Sequence, residues 1–253
     1  MALHADCRAV KHTAFILMLT FSITAEAEQS FSSPDAQVTL IELFTSEGCS
    51  SCPPADRWLS GLQDDPRLWT GFVPVGFHVD YWNYIGWKDR FSSPEYSERQ
   101  RRYAREGGVG VVYTPGVLAN GKEWRNFQWS APDSGGGPEV GVLEARVSGK
   151  TIDARFDPNE GMGEEKLVLN IALLGAGLST EVEAGENDGR TLNHDFAVLA
   201  YEQVPLQREI DFYGASAEMP ATEFDARRLA LALWVSTVES QAPIQATGGW
   251  LAD

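Results

Sequence analysis

Cys49 and Cys52 are the residues whose type and spacing most directly imply chemistry. They sit in Gly48-Cys49-Ser50-Ser51-Cys52-Pro53. A thiolate is the attacking species in disulfide exchange, and two intervening residues let the second sulfur reach back and close a small ring. Such a pair can cycle between dithiol and disulfide. It can also be an inert bridge, or a soft Cu(I) site with His78 as a further ligand. A bridge closing so short a loop constrains the unfolded chain little, which makes stabilisation a weak reason for it. A closed zinc site wants four ligands. After residue 27 the chain offers only these two cysteines and two distant histidines, His78 and His194.

The neighbouring sequence supplies the elements that must hold the sulfurs. Residues 38–45 are apolar and β-branched and predict a buried strand. Residues 55–63 predict a helix with Ala55, Leu59 and Leu62 on one face, capped by Ser50 or Ser51. A helix N-terminus carries free N–H groups and a partial positive charge, both of which favour a thiolate. On that order Cys49 is the exposed nucleophile and Cys52, in the first turn, the more buried resolving thiol. Residues 72–79 predict a second buried strand containing His78, either a satisfied core histidine or a ligand or proton shuttle. In the polar-aromatic stretch 80–91, Asp80, Trp82, Trp87 and Asp89 can wall the motif or build a small core.

Ser93-Pro94-Glu95 reads as a helix start, with a stop at Gly107-Gly108. Asn120-Gly121 between extended runs signals a hairpin. Pro115 opens the first of those runs, where a proline cannot donate to a ladder. Residues 129–138 read as a linker. Beyond it, 142–147, 151–156, 167–174, 196–201 and 229–237 look like strands separated by turn residues, the pattern of an antiparallel β-sandwich.

Composition bounds the setting. Residues 1–27 combine Arg8 and Lys11, a short apolar run and Ala25-Glu26-Ala27, and predict a signal peptide cleaved near Ala27. Cys7 leaves with it. Periplasmic or secreted localisation follows, in a compartment where a disulfide can persist. The net charge of −16 argues against nucleic-acid partners, and nothing after residue 27 predicts a stable membrane insertion. No cofactor is indicated: there is neither a Gly-rich phosphate loop nor a Ser-His-Asp signature.

The order strand, CxxC, helix, strand, helix, Thr-Pro, hairpin resembles the thioredoxin superfamily. More narrowly, Phe44-Thr45-Ser46-Glu47-Gly48-Cys49-Ser50-Ser51-Cys52-Pro53-Pro54-Ala55-Asp56 is similar to a signature of a bacterial family of secreted, thioredoxin-like proteins of unknown function (domain of unknown function 1223). So are Phe77-His78-Val79-Asp80-Tyr81-Trp82, Gly86-Trp87-Lys88-Asp89-Arg90-Phe91, Val112-Tyr113-Thr114-Pro115 and the segment from Ala184 to Asp195. The resemblance implies a cis Thr114–Pro115 bond packed beside the cysteines. It also implies a role for Glu42 as a buried acid relaying a proton to Cys52, although a solvated strand-end carboxylate fits Glu42 equally. It implies a thioredoxin-like α/β domain over 36–128, with an inserted aromatic and helical segment, followed by an antiparallel β-sandwich domain over 139–253. The function expected is that of an exported thiol–disulfide oxidoreductase acting on an exported thiol or disulfide protein or a small thiol. The alternatives are periplasmic Cu(I) handling through Cys49, Cys52 and His78, or a binding module without turnover. His194, in the last signature, is expected to hydrogen-bond locally.

Overall fold

The structure is a computed structural model that describes residues 1, 28–125, 137–159 and 165–252. The expected signal peptide, and all of the expected linker except its last two residues, lie outside the described residues.

The strands are β1 (Gln29–Ser32), β2 (Thr39–Thr45), β3 (Phe72–His78), β4 (Gly116–Ala119), β5 (Lys122–Glu123), β6 (Gly141–Ser148), β7 (Thr151–Pro158), β8 (Leu167–Ala176), β9 (Leu178–Glu181), β10 (Thr191–His194), β11 (Ala197–Pro205), β12 (Gln207–Arg208), β13 (Tyr213–Glu218), β14 (Arg228–Thr237) and β15 (Gln245–Trp250). The helices are α1 (Pro53–Gly61) and α2 (Pro94–Arg105). Eight strands form one sheet in the order β15-β14-β8-β11-β3-β2-β4-β5. Five form an antiparallel sheet in the order β1-β6-β7-β13-β12, and β9 and β10 pair alone.

This arrangement corrects the expected fold class. The chain is predominantly β, and it does not divide into a thioredoxin-like α/β domain and a separate sandwich. Strands from both halves share the eight-stranded sheet, joined where Ala197 of β11 lies opposite Gly76 of β3 and the Gly76 N–H donates to Phe196 O at 2.8 Å. The physical reason lies in β8 and β14, which are buried along almost their whole length on both faces. A strand buried on both faces needs cover on two sides. Leu169, Ile171, Leu231, Leu233 and Val235 pack toward the five-stranded sheet with Leu143, Ile152 and Phe156. The alternating Ala172, Leu174, Ala230, Ala232 and Trp234 join Phe44, Phe77, Leu59, Tyr96 and Tyr103 in a second core that includes residues of both helices. The sandwich-like expectation survives in that pairing of two sheets.

Local signals behave as their chemistry dictates. Ser93 caps α2, its Oγ accepting from Glu95 N at 3.2 Å, with Pro94 in the first helical position. Asn120 and Gly121 take φ of +47° and +76° in the β4–β5 turn. Neither Ser50 nor Ser51 caps α1. Its N-cap is Cys52, without a side-chain capping bond, and prolines 53 and 54 follow. The expected strand 72–79 forms over Phe72–His78, paired parallel to β2 along its full length. Among the described residues, no helix is long and apolar enough to cross a membrane.

Candidate functional site

β2 delivers the chain to the turn at 46–52, and α1 carries it away. Cys49 and Cys52 lie at disulfide distance there, with their Cα atoms 5.4 Å apart. Both are buried, Cys49 to 1 % exposure and Cys52 to 0 %. Cys49 is therefore not the exposed thiol that its position before the helix suggested. Its Sγ lies 3.3 Å from the hydroxyl of Ser51, an exposed residue. The first two helical positions are prolines and carry no N–H, while Ala55 N and Asp56 N both donate to Cys52 O. The N–H groups that usually serve an anion at a helix start are thus largely withdrawn from the sulfurs.

Other charges surround the turn instead. The Glu47 carboxylate accepts from Trp87 Nε1 at 2.9 Å and lies 3.2 Å from His194 Nε2. Asp89 Oδ2 accepts from His78 Nδ1 at 2.7 Å and from Glu47 N at 2.9 Å, and Asp89 Oδ1 accepts from Phe91 N. The two histidine rings meet edge to face, with centroids 4.8 Å apart. Burial, the largest single influence, acts to lower the His78 pKa, but the charge and hydrogen bond of Asp89 together with Asp56 and Glu47 outweigh it, and His78 is pushed up to about 9. Burial acts to raise Asp89; the facing His78 charge and the bonds to His78, Glu47 N and Phe91 N hold it below the ordinary carboxylate value. Asp56 completes the group. Burial raises its pKa despite the proximity of His194 and His78.

The second half of the chain packs on the cysteine turn. Asn187, fully buried, donates from Nδ2 to Glu47 O at 2.7 Å and to Cys49 O at 3.0 Å. Ser50 N donates to Glu186 Oε2 at 3.0 Å. Gly185, with φ of +79°, packs so tightly on Ile85 that an added Cβ would lie 2.9 Å from its Cδ1. Only a glycine combines that backbone conformation with that approach.

The residues singled out from the sequence fall into two groups. Thr114 and Pro115 precede β4, whose Gly116 pairs with Phe44 at the end of β2, and the Thr114–Pro115 bond is cis. Thr114 Oγ1 accepts from Trp82 Nε1 at 2.7 Å, and Trp82 Cβ would lie 3.0 Å from a Cβ built on Gly48. Trp82, Trp87 and Asp89 therefore do wall the motif. Glu42 belongs elsewhere. It is fully buried, with Arg99 Nε 2.7 Å from Oε1 and the Tyr103 hydroxyl donating to Oε2. Arg99 is itself enclosed by Phe77, Tyr103, Tyr201 and Trp234.

Glu47, Asp56 and Asn187 escaped the residue-by-residue reading, although each lies inside a quoted motif. Asp56 had a visible signal: it is a charge on the same helical stretch as the apolar Ala55 and Leu59. His194 is not a local partner as expected, since it reaches Glu47 across 147 positions. His78 spends Nδ1 on Asp89. Among the described residues, no group of three or more His, Cys, Asp and Glu side chains is arranged to hold a metal ion.

Comparison with known proteins sets the chain beside two solved structures and one protein family. No curated protein matches it. Protein AGR_C_4864 from Agrobacterium tumefaciens is 25 % identical, with a TM-score of 0.58 over 84 % of this chain and 94 % of that one. HBP35 of Porphyromonas gingivalis shares the fold at 16 % identity, with a TM-score of 0.60 over 85 % of this chain and 76 % of that one. The model of a protein family of unknown function, DUF1223, matches residues 40–236, which span the cysteine turn, both histidines and the segment packed on that turn, and the chain belongs to that family.

Proposed function

We propose that this protein is an exported thiol–disulfide exchange protein in which Cys49 is attacked and Cys52 resolves. The observation that carries the reading is the Cys49–Cys52 pair at disulfide distance on the turn between β2 and α1, set against buried ionisable groups. An inert staple across so short a loop has little to gain. It would also not need three carboxylates and two imidazoles packed beside it, each of which costs desolvation.

In the reducing direction, a partner thiolate attacks Cys49 Sγ from the Ser51 side. The Cys49–Cys52 bond breaks and Cys52 leaves as a thiolate that takes a proton. A second partner thiolate then attacks the partner sulfur of the mixed disulfide and releases Cys49. Two electrons and two protons pass to the protein, and the partner leaves as a disulfide. The reverse sequence oxidises the partner. The co-reactant is an exported thiol or disulfide protein, or a small thiol, and the chemistry needs no resident cofactor.

Cys52→Ser tests the reading. With the resolving thiol gone, Cys49 should accumulate mixed disulfides with exported proteins, released by dithiothreitol and absent in Cys49→Ser. Failure of Cys52→Ser to trap any adduct, combined with tight Cu(I) binding by the reduced wild type, would replace exchange with metal handling.

A further inference from the structure

A cleft of about 840 Å³ lies away from the sulfurs, bordered by neither cysteine and by none of the buried acids. Five stretches distant in the chain converge on it. They are the turn after α1, the β8–β9 connection, the end of β10, the start of β14 and the residues following β15. Its volume falls within the range of sites for drug-sized molecules, about 300–1,000 Å³.

Two arginines set its charge. Arg227 and Arg228 both border the cleft and are exposed. Among the described residues neither has a carboxylate at ion-pair distance or a hydrogen-bond partner. The chain holds 36 acidic residues against 20 lysines and arginines, so a carboxylate partner is easily supplied elsewhere on this surface. Both arginines are nevertheless held in place. Arg228 Cζ lies 4.1 Å from the centroid of the Trp250 ring, which is itself packed against Trp69 and Phe196. Stacking occupies the face of a guanidinium and leaves the N–H donors at its edge for a ligand. The stem of Arg227 lies on Gly177, whose φ is +67° and where an added Cβ would come within 2.7 Å of Arg227 Cβ. Only a glycine permits that conformation and that approach together.

The remaining polar groups define what else a ligand must carry. Asp195 is the one acid bordering the cleft. Its Oδ1 accepts from Gly177 N at 2.7 Å, and its second oxygen has no hydrogen-bond partner among the described residues. Gln63 Nε2 donates to Ser60 O, which leaves Oε1 as an acceptor. The Asn193 amide has no partner among the described residues. Between them the two amides offer a donor and acceptors, as a peptide group requires. Leu178 and Leu251 add apolar wall.

We propose that this cleft binds a di- or tripeptide carrying one acidic residue. The two carboxylates of such a ligand meet Arg227 and Arg228, its terminal ammonium meets Asp195, and its peptide groups meet Gln63 and Asn193. A ligand of charge −1 matches a cleft of charge +1. A polyphosphate or nucleic acid would instead set several negative charges against Asp195 and a chain of net charge −16. A lone inorganic anion would fill little of the volume, and a cationic ligand would leave both guanidiniums without a counter-charge. The site is separate from the cysteine pair and stands whether or not that pair turns over.

The test is calorimetric titration of the full protein, disulfide closed, with the dipeptide alanyl-glutamate. Wild type should bind it one-to-one with a Kd below about 1 mM. Arg227→Gln and Arg228→Gln should each weaken binding at least about tenfold, the scale of a hydrogen bond to a charged group. Alanyl-glutamine, which lacks one carboxylate, should lose about as much on wild type. N-acetylation of the dipeptide should weaken binding to wild type but not to Asp195→Asn, where the ammonium has no carboxylate to meet. Absence of binding, or unchanged affinity in both arginine variants, would overturn the proposal. Inorganic phosphate binding as tightly as the dipeptide would also overturn it, by showing a general anion site. A second measurement needs no variant. Alanyl-glutamate should slow the reaction of phenylglyoxal with Arg227 and Arg228, mapped by peptide mass analysis, and leave the exposed Arg105 unaffected. Equal reaction with and without the dipeptide would overturn the assignment.

Discussion

Asp89→Asn isolates the electrostatics of the buried site in one substitution. Asp89 Oδ2 faces both His78 Nδ1 and the Glu47 N–H, so an asparagine oxygen can keep the backbone bond while removing the charge that His78 needs. His78 titrates near 6.5 in the unfolded chain and at about 9 in the fold. At roughly 1.4 kcal/mol per pH unit, that difference corresponds to about 3.5 kcal/mol of stability. Because the folded value is the raised one, this stabilisation is fully present below pH 6.5 and is lost as pH rises through 9. Urea unfolding with the disulfide kept closed, read by tryptophan fluorescence from pH 5.5 to 10, measures it. Wild type should exceed Asp89→Asn by about 3.5 kcal/mol at pH 6, beyond any pH-independent difference, and that excess should vanish near pH 10. A gap that stays constant or widens with pH would refute the reasoning, since it would mean that His78 is not held protonated by Asp89.

Other substitutions separate cover from core. Asn187→Leu removes the donor from two buried carbonyls, those of Glu47 and Cys49, at a cost of roughly 1–3 kcal/mol for each. Thermal melts should show the loss, and reduction of the disulfide by dithiothreitol should become faster as the packing on the cysteine turn loosens. Arg99→Met strands the Glu42 carboxylate in the core and should destabilise the fold by about 3–5 kcal/mol in urea unfolding. Adding Glu42→Leu should recover most of that loss, because the buried charge goes with its partner.

The sulfur turn and its flanking elements were legible from the sequence because their signals are local. A proline after a serine cap, an Asn-Gly turn and an apolar run before CxxC each act over a few residues. The architecture was not legible for the opposite reason. Whether β8 and β14 form a sandwich of their own or extend the sheet of β2 and β3 depends on the single parallel junction at Gly76 and Ala197, which leaves no periodic trace. The same limit applied to charges. Glu42 becomes a candidate acid through the family resemblance, yet only the position of Arg99 on α2 shows where that carboxylate is spent. Glu47 and His194 meet across most of the chain, and no spacing rule connects them. Asp56 was within reach, since a carboxylate one turn after a buried cysteine shares its helix face, but the apolar neighbours drew the reading toward packing alone.

The reduction potential of the Cys49–Cys52 pair tests the central claim most directly. The oxidised fraction would be measured by alkylation and mass analysis after equilibration in graded glutathione and dithiothreitol buffers. An exchange protein should titrate within the range of known exchanging CxxC pairs, about −270 to −120 mV. A pair that stays oxidised until below about −300 mV behaves as a structural disulfide, and that result would contradict the account.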